Sequence, residues 1–117
     1  MINHYEKIKG SKVLVTGGLG FVGHNLVKTL VNKYNCEVRV VDDCSNSYPE
    51  ILGDVLPKVE FHKVSVMDSD NLFPLFKDMD YVFHLACKQI SSSGKEPHSH
   101  LRVNAESTLN MLEYIRK

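Results

Sequence analysis

At 117 residues, with fourteen Lys and Arg balanced by fourteen Asp and Glu, the chain has the length of one domain, and it lacks the charge excess that nucleic acid or an anionic membrane would attract. Its three cysteines, Cys36, Cys44 and Cys87, are odd in number and include no CxxC pair, which argues against a disulfide framework and a zinc site and fits reduced thiols. No apolar stretch approaches membrane-spanning length and Met1 to Lys7 hold no signal-peptide run, so a soluble, cytoplasmic chain is expected.

Lys12 to Thr16 is a nearly unbroken apolar run, as in a parallel strand buried on both faces. After Gly17-Gly18-Leu19-Gly20-Phe21-Val22-Gly23, the residues Val22, Leu26, Val27, Leu30, Val31 and Tyr34 recur at helical spacing, and Asn35 is placed to end that helix. Glu37 to Val41 reads as a second strand, Val59 to Val64 as a third of mixed composition, and Tyr81 to Leu85 as a fourth. Ser69 to Lys77 is predicted helical, N-capped by Asp68 and limited or kinked by Pro74. Beyond Pro97, the residues Leu101, Ala105, Leu109, Leu112 and Ile115 line one face of a long C-terminal helix, and that stripe is expected to pack on the core.

Strands alternating with helices make parallel βαβ units, and right-handed crossovers place them in the order 3-2-1-4. The expected fold is α/β: a Rossmann-type doubly wound parallel sheet over residues 1–117, stopping after about four strands and a long helix. Its ligand crevice falls where the strand order reverses, between strands 1 and 4.

The glycine turn lies at that crevice. Between a buried strand and a helix, GxGxxG permits a tight turn, a close backbone approach to a diphosphate and close helix packing, so Gly17, Gly20, Phe21, Val22 and Gly23 are candidates to bind a dinucleotide. Asp42 stands nineteen residues beyond Gly23, close to the usual spacing of about twenty for the acid that accepts both ribose hydroxyls. A 2′-phosphate would meet like charge there, and no Arg or Lys follows directly to offset it. NAD is therefore expected over NADP, although Asp42 and Asp43 could also simply begin a solvated loop.

With these residues the chain resembles the N-terminal half of an extended short-chain dehydrogenase/reductase, the group of nucleotide-sugar epimerases and dehydratases. Thr16 to Gly23 is similar to the family's TGGxGFxG, and Asp42-Asp43-Cys44-Ser45-Asn46-Ser47 to its DNLSxG adenosine loop. Tyr81 to Cys87 resembles the DxVxHxAA strand, and Pro97, Arg102-Val103-Asn104 and Thr108 to Glu113 resemble the P…NVxGTxNLLE helix. The resemblance implies cofactor contacts from Asp43, Ser45 and Asn46, from Ser65 and Val66 after the third strand, from Leu85, Ala86 and Cys87 beside the nicotinamide ribose, and from Asn104. It also implies that the last helix contributes to a homodimer, for which an exposed sheet edge is a second candidate surface.

Ser65 stands where that family usually has an Asp that accepts from the adenine amino group, which weakens that contact by about 1 kcal/mol. Ser107 and Cys87 replace small residues with small residues. The family's catalytic Tyr-x-x-x-Lys pair, carried on the helix after a fifth strand, is missing, so no catalytic residue is assigned. Ser91 to Gly94 lines a substrate pocket or forms a flexible loop; the two alternatives weigh equally. His84 is expected as a packed or singly hydrogen-bonded strand residue, and His98 and His100, two apart, diverge too far to share a metal. The chain is thus expected to be the NAD-binding portion of a nucleotide-sugar epimerase or dehydratase. Such a protein engages its sugar only when the missing half is supplied. The alternatives are a non-catalytic dinucleotide sensor, a subunit that pairs with another chain, and a structural remnant.

Overall fold

The computed structural model describes residues 4–87, 98 and 101–116. In chain order these form α1 (His4–Ile8), β1 (Lys12–Thr16), α2 (Phe21–Asn32), β2 (Glu37–Asp42), a 3₁₀ segment (Pro49–Lys58), β3 (Glu60–Lys63), α3 (Ser69–Leu72) with a 3₁₀ turn (Phe73–Phe76), β4 (Tyr81–His84), and a π turn (Arg102–Glu106) leading into α4 (Ser107–Arg116). The four strands are parallel in the order β3-β2-β1-β4, as the crossover argument requires. Thr16 at the end of β1 pairs with Val41 on one side and His84 on the other, so the carboxyl ends of β2, β1 and β4 arrive together.

Side-chain alternation divides the core between the two faces of the sheet. Val13, Val15, Val38 and Val40 face α2, through its Val27 and Leu30, and the 3₁₀ segment, through Leu52 and Val55. Leu14 and Val41 face Leu72, Phe76 and Met111 on the other side. The 3₁₀ segment carries no strong helical signal in the sequence; it begins at Pro49 and breaks at Gly53, whose φ of 56° no helix accommodates.

Three expectations are corrected. The helix predicted over Ser69 to Lys77 is one α-helical turn that tightens into 3₁₀ at Phe73–Phe76, because Pro74 supplies no amide for an α-helical bond. Asp68 does cap it, accepting from the Asn71 amide. Val22 leaves the α2 stripe and is exposed. On the last helix the packed face is Val103, Ser107 and Met111, and at its margin Tyr114, 38% exposed, stacks on Phe73 with ring centroids 4.4 Å apart. Leu101, Ala105, Leu109, Leu112 and Ile115 are exposed instead. Both sets repeat at helical spacing; small Ser107, its hydroxyl donating to the Val103 carbonyl, admits the close approach that selects the first. Pro97, His100 and Ser91 to Gly94 lie outside the described residues.

Candidate functional site

The turn after β1 is built by backbone contacts that a side chain would prevent. Gly17 has φ +67°, and a Cβ there would come within 2.7 Å of the Ala86 amide nitrogen; one on Gly23 would lie 2.1 Å from the Gly17 carbonyl oxygen. Gly20 N-caps α2 with no side-chain cap, its own amide donating to the Gly17 carbonyl at 3.1 Å, and the first intrahelical bond runs from His24 N to Gly20 O at 2.9 Å. The amides of Phe21, Val22 and Gly23 therefore have no intrahelical acceptor, at the end of a twelve-residue helix whose dipole favours an anion.

Asp42 ties this turn to the next strand. Its Oδ2 accepts from the Leu19 amide at 3.1 Å and its Oδ1 from the Cys44 amide at 2.9 Å, and Asp43 Oδ1 accepts from the Ser45 amide at 2.9 Å. Cys44 adopts φ 63° to make this loop. Each Asp42 oxygen uses one lone pair in this way and keeps one for a ligand hydroxyl. Ser65 Oγ likewise accepts from the Met67 amide at 3.1 Å and retains one acceptor position. Across the turn, the Thr16 hydroxyl oxygen accepts from the Leu85 amide at 3.1 Å and the Ala86 amide at 3.2 Å. These bonds hold the chain after β4 against Gly17.

Together these segments enclose a cavity of about 440 Å³ at the carboxyl ends of β1, β2 and β4, within the range of small-ligand sites. Gly17, Gly20, Phe21, Val22, Gly23, Asp42, Asp43, Ser45, Asn46, Ser65, Val66, Leu85, Ala86 and Cys87 all line it. Asn104 does not: it is exposed on the last helix, although its neighbour Val103 reaches the cavity. Leu19, His24, Val41, Ser47, Ile51 and Val64 also line it and were not singled out from sequence. Of these, His24 alone carried a legible signal, standing four residues after Gly20 on the first turn of a helix.

Burial pushes the His84 ring below its ordinary pKa and raises the Cys36 thiol above its own; the Cys44 thiol is raised chiefly by burial and then by Asp42. All three cysteines are free, Cys36 buried and Cys87 exposed. His98 is exposed, and among the described residues no three His, Cys, Asp or Glu side chains converge. Tyr5 and Lys9 stand four apart, but they lie on and just after α1, upstream of β1, and not on a helix following a fifth strand. No helix among the described residues is long and apolar enough to cross a membrane.

Comparison with known proteins gives a consistent pattern. The NAD dependent epimerase/dehydratase family matches residues 13–117. UDP-glucose 4-epimerase of Schizosaccharomyces pombe is 32% identical over 112 residues, covering 90% of this chain and 31% of its own length. UDP-glucuronic acid decarboxylase 6 of Arabidopsis thaliana is 34% identical over 104 residues, 86% of this chain and 29% of its own. Among solved structures, an epimerase of Methanothermobacter thermautotrophicus superposes with a TM-score of 0.86 at 38% identity, over 94% of this chain and 33% of that one. The Bordetella bronchiseptica enzyme WbmF in complex with NAD+ gives 0.82 at 36% identity, over 93% and 33%. The chain spans about a third of the length of the relatives it matches.

Proposed function

This chain belongs to the NAD dependent epimerase/dehydratase family, and we propose that it is the NAD-binding portion of a nucleotide-sugar epimerase or dehydratase working in the cytosol, where its thiols stay reduced. The observation that carries this reading is the junction of turn and acid: the Leu19 amide bonded to Asp42 Oδ2 at 3.1 Å, beside a glycine cradle that a Cβ at Gly17 or Gly23 would fill. The amides of Phe21, Val22 and Gly23 receive the diphosphate, and the free lone pairs of Asp42 accept the adenosine ribose hydroxyls. Asp43, Ser45 and Asn46 border the adenosine, and Ser65 and Val66 border the adenine. Leu85, Ala86 and Cys87, held against Gly17 by Thr16, flank the nicotinamide ribose; Asn104 belongs to this end only through the helix it shares with Val103.

Bound nicotinamide supplies transient hydride transfer to and from a sugar carbon. Within these 117 residues the work is binding and orientation; the proton is moved by a Tyr/Lys pair outside them, so the chain alone is not catalytically complete. Leu109, Leu112 and Ile115, exposed on α4, form the face where a second copy docks, in keeping with the homodimer helix of the resembling enzymes.

Calorimetric titration of the chain with NAD and NADP tests the cofactor reading. NAD should bind at least about tenfold more tightly, a like-charge discrimination of roughly 1.4 kcal/mol. Comparable affinities would remove the argument from Asp42.

A further inference from the structure

Among the described residues, the cavity lining includes two carboxylates, Asp42 and Asp43, and no Lys or Arg. A diphosphate placed there meets the partial charge of the α2 N-terminus and, among the described lining residues, only one side chain able to become cationic, His24. That partly exposed ring makes two contacts within its own helix end. Its Nδ1 lies 2.7 Å from the Gly20 carbonyl oxygen, one turn back along α2, and the Phe21 ring meets it edge-on with centroids 6.1 Å apart.

A carbonyl oxygen can only accept, so Nδ1 carries the hydrogen of this contact. In the neutral ring Nε2 is then a bare acceptor, which a phosphate oxygen repels. The imidazolium form carries a second N–H and a positive charge, and it donates to that oxygen. We propose that His24 is a proton-coupled contact for the diphosphate of the dinucleotide, so that binding takes up a proton at this ring and tightens as the pH falls. The Gly20 carbonyl sets this coupling by denying the neutral ring its alternative tautomer.

Among the described residues, the other titratable groups facing the cavity are Asp42 and Asp43 at the end of β2 and Cys87 after β4. The 3₁₀ segment packed beside α2 brings only Ile51 into the lining, leaving Glu50, Asp54 and Lys58 outside, and Lys28 lies one turn further along α2. All of these are shared by the wild type and the variants below, so a comparison between them isolates the ring.

This inference rests on the dinucleotide reading above. Titration of the 117-residue chain with NAD between pH 5.5 and 8, in buffers of different ionisation enthalpy, should register proton uptake and about three- to tenfold tighter binding at the acid end. His24→Gln should flatten the profile, and His24→Arg should hold the tight value throughout. A histidine ring NMR titration of the unmutated chain, independent of variant folding, should place the His24 midpoint higher with NAD than without. An unmoved midpoint, or a His24→Gln profile as steep as the wild type, overturns this proposal alone. Absence of NAD binding at every pH overturns the dinucleotide reading and this proposal with it.

Discussion

Thr16 Oγ1 and His84 Nδ1 lie 2.6 Å apart across the β1–β4 register, and the contact assigns the hydrogens of both groups. The threonine oxygen already accepts from the Leu85 and Ala86 amides, so its own hydrogen goes to Nδ1, and the neutral imidazole carries its hydrogen on Nε2. That Nε2 is buried and has no hydrogen-bond partner. His84 is thus a neutral, partly buried acceptor toward Thr16, and the pair positions the Leu85–Ala86 backbone along the cavity.

Thr16 is fully buried, so Thr16→Val keeps the shape and removes the oxygen. The Leu85 amide still reaches the Thr16 carbonyl at 3.1 Å, while the Ala86 amide and His84 Nδ1 lose their partner. A loss of about 2 kcal/mol is expected in urea unfolding, with weaker NAD binding, whereas Thr16→Ser should recover most of both.

Burial lowers the His84 pKa in the fold from its ordinary 6.5. Below about 6.5 the unfolded chain binds a proton that the folded chain resists, so stability is full above that value and falls as the pH drops toward the depressed folded pKa. Glu60 acts lower: the His62 and Arg39 side chains hold its carboxyl below 4.5, and its contribution is lost only in more acid solution. Thermal unfolding of wild type and His84→Asn between pH 7 and 5 should diverge, with the variant flatter. Parallel curves would contradict this assignment.

At Gly23 an added Cβ meets a backbone oxygen at 2.1 Å, and at Gly10 it meets nothing within 4 Å. Gly23→Ala should cost at least about 2 kcal/mol and abolish NAD binding, since α2 must move away from the turn that aims its amides. Gly10→Ala, strained only by its φ of +76°, should cost about 1 kcal/mol and leave binding intact. Melting curves and NAD titrations of the two variants separate local strain from loss of the cradle.

The two faces of α4 should respond in opposite ways. Met111→Ala, at a buried position against Leu72 and Phe76, should cost about 2–4 kcal/mol. Leu109→Lys and Leu112→Lys, at exposed positions, should change monomer stability by less than about 0.5 kcal/mol and convert a self-associating chain to a monomer in sedimentation velocity. A wild type that is monomeric at every concentration would remove the second-copy reading of that face.

The element plan was legible in the residues because each βαβ unit announces itself locally. Lys12 to Thr16 and Glu37 to Val41 are apolar runs of strand length, the glycines can serve few roles other than a tight turn, and crossover handedness leaves few strand orders. Asp42 was legible too, since its spacing from Gly23 follows from the length of one helix and one strand. These are short-range properties, set by steric limits and by the period of side chains along a single segment.

What the residues alone left undecided depends on which segments meet. The last helix carries two apolar faces of similar period, and only contact with Leu72, Phe73 and Phe76 determines that Val103 and Met111 turn inward, with Tyr114 stacked on Phe73 at their margin, while the stripe expected from the sequence, with Leu109, Leu112 and Ile115, stays outside. Likewise Thr16 and His84 are 68 residues apart in sequence, and His24 becomes the one potential cation among the described lining residues only because the fold brings it to the same cavity as Asp42, Ser65 and Ala86. Chain order determined the strands, the turn and the acid. Side-chain burial and hydrogen-bond pairing between distant segments decided the faces, the tautomers and the charge balance, because those are set by the surroundings a residue acquires only after the sheet has closed.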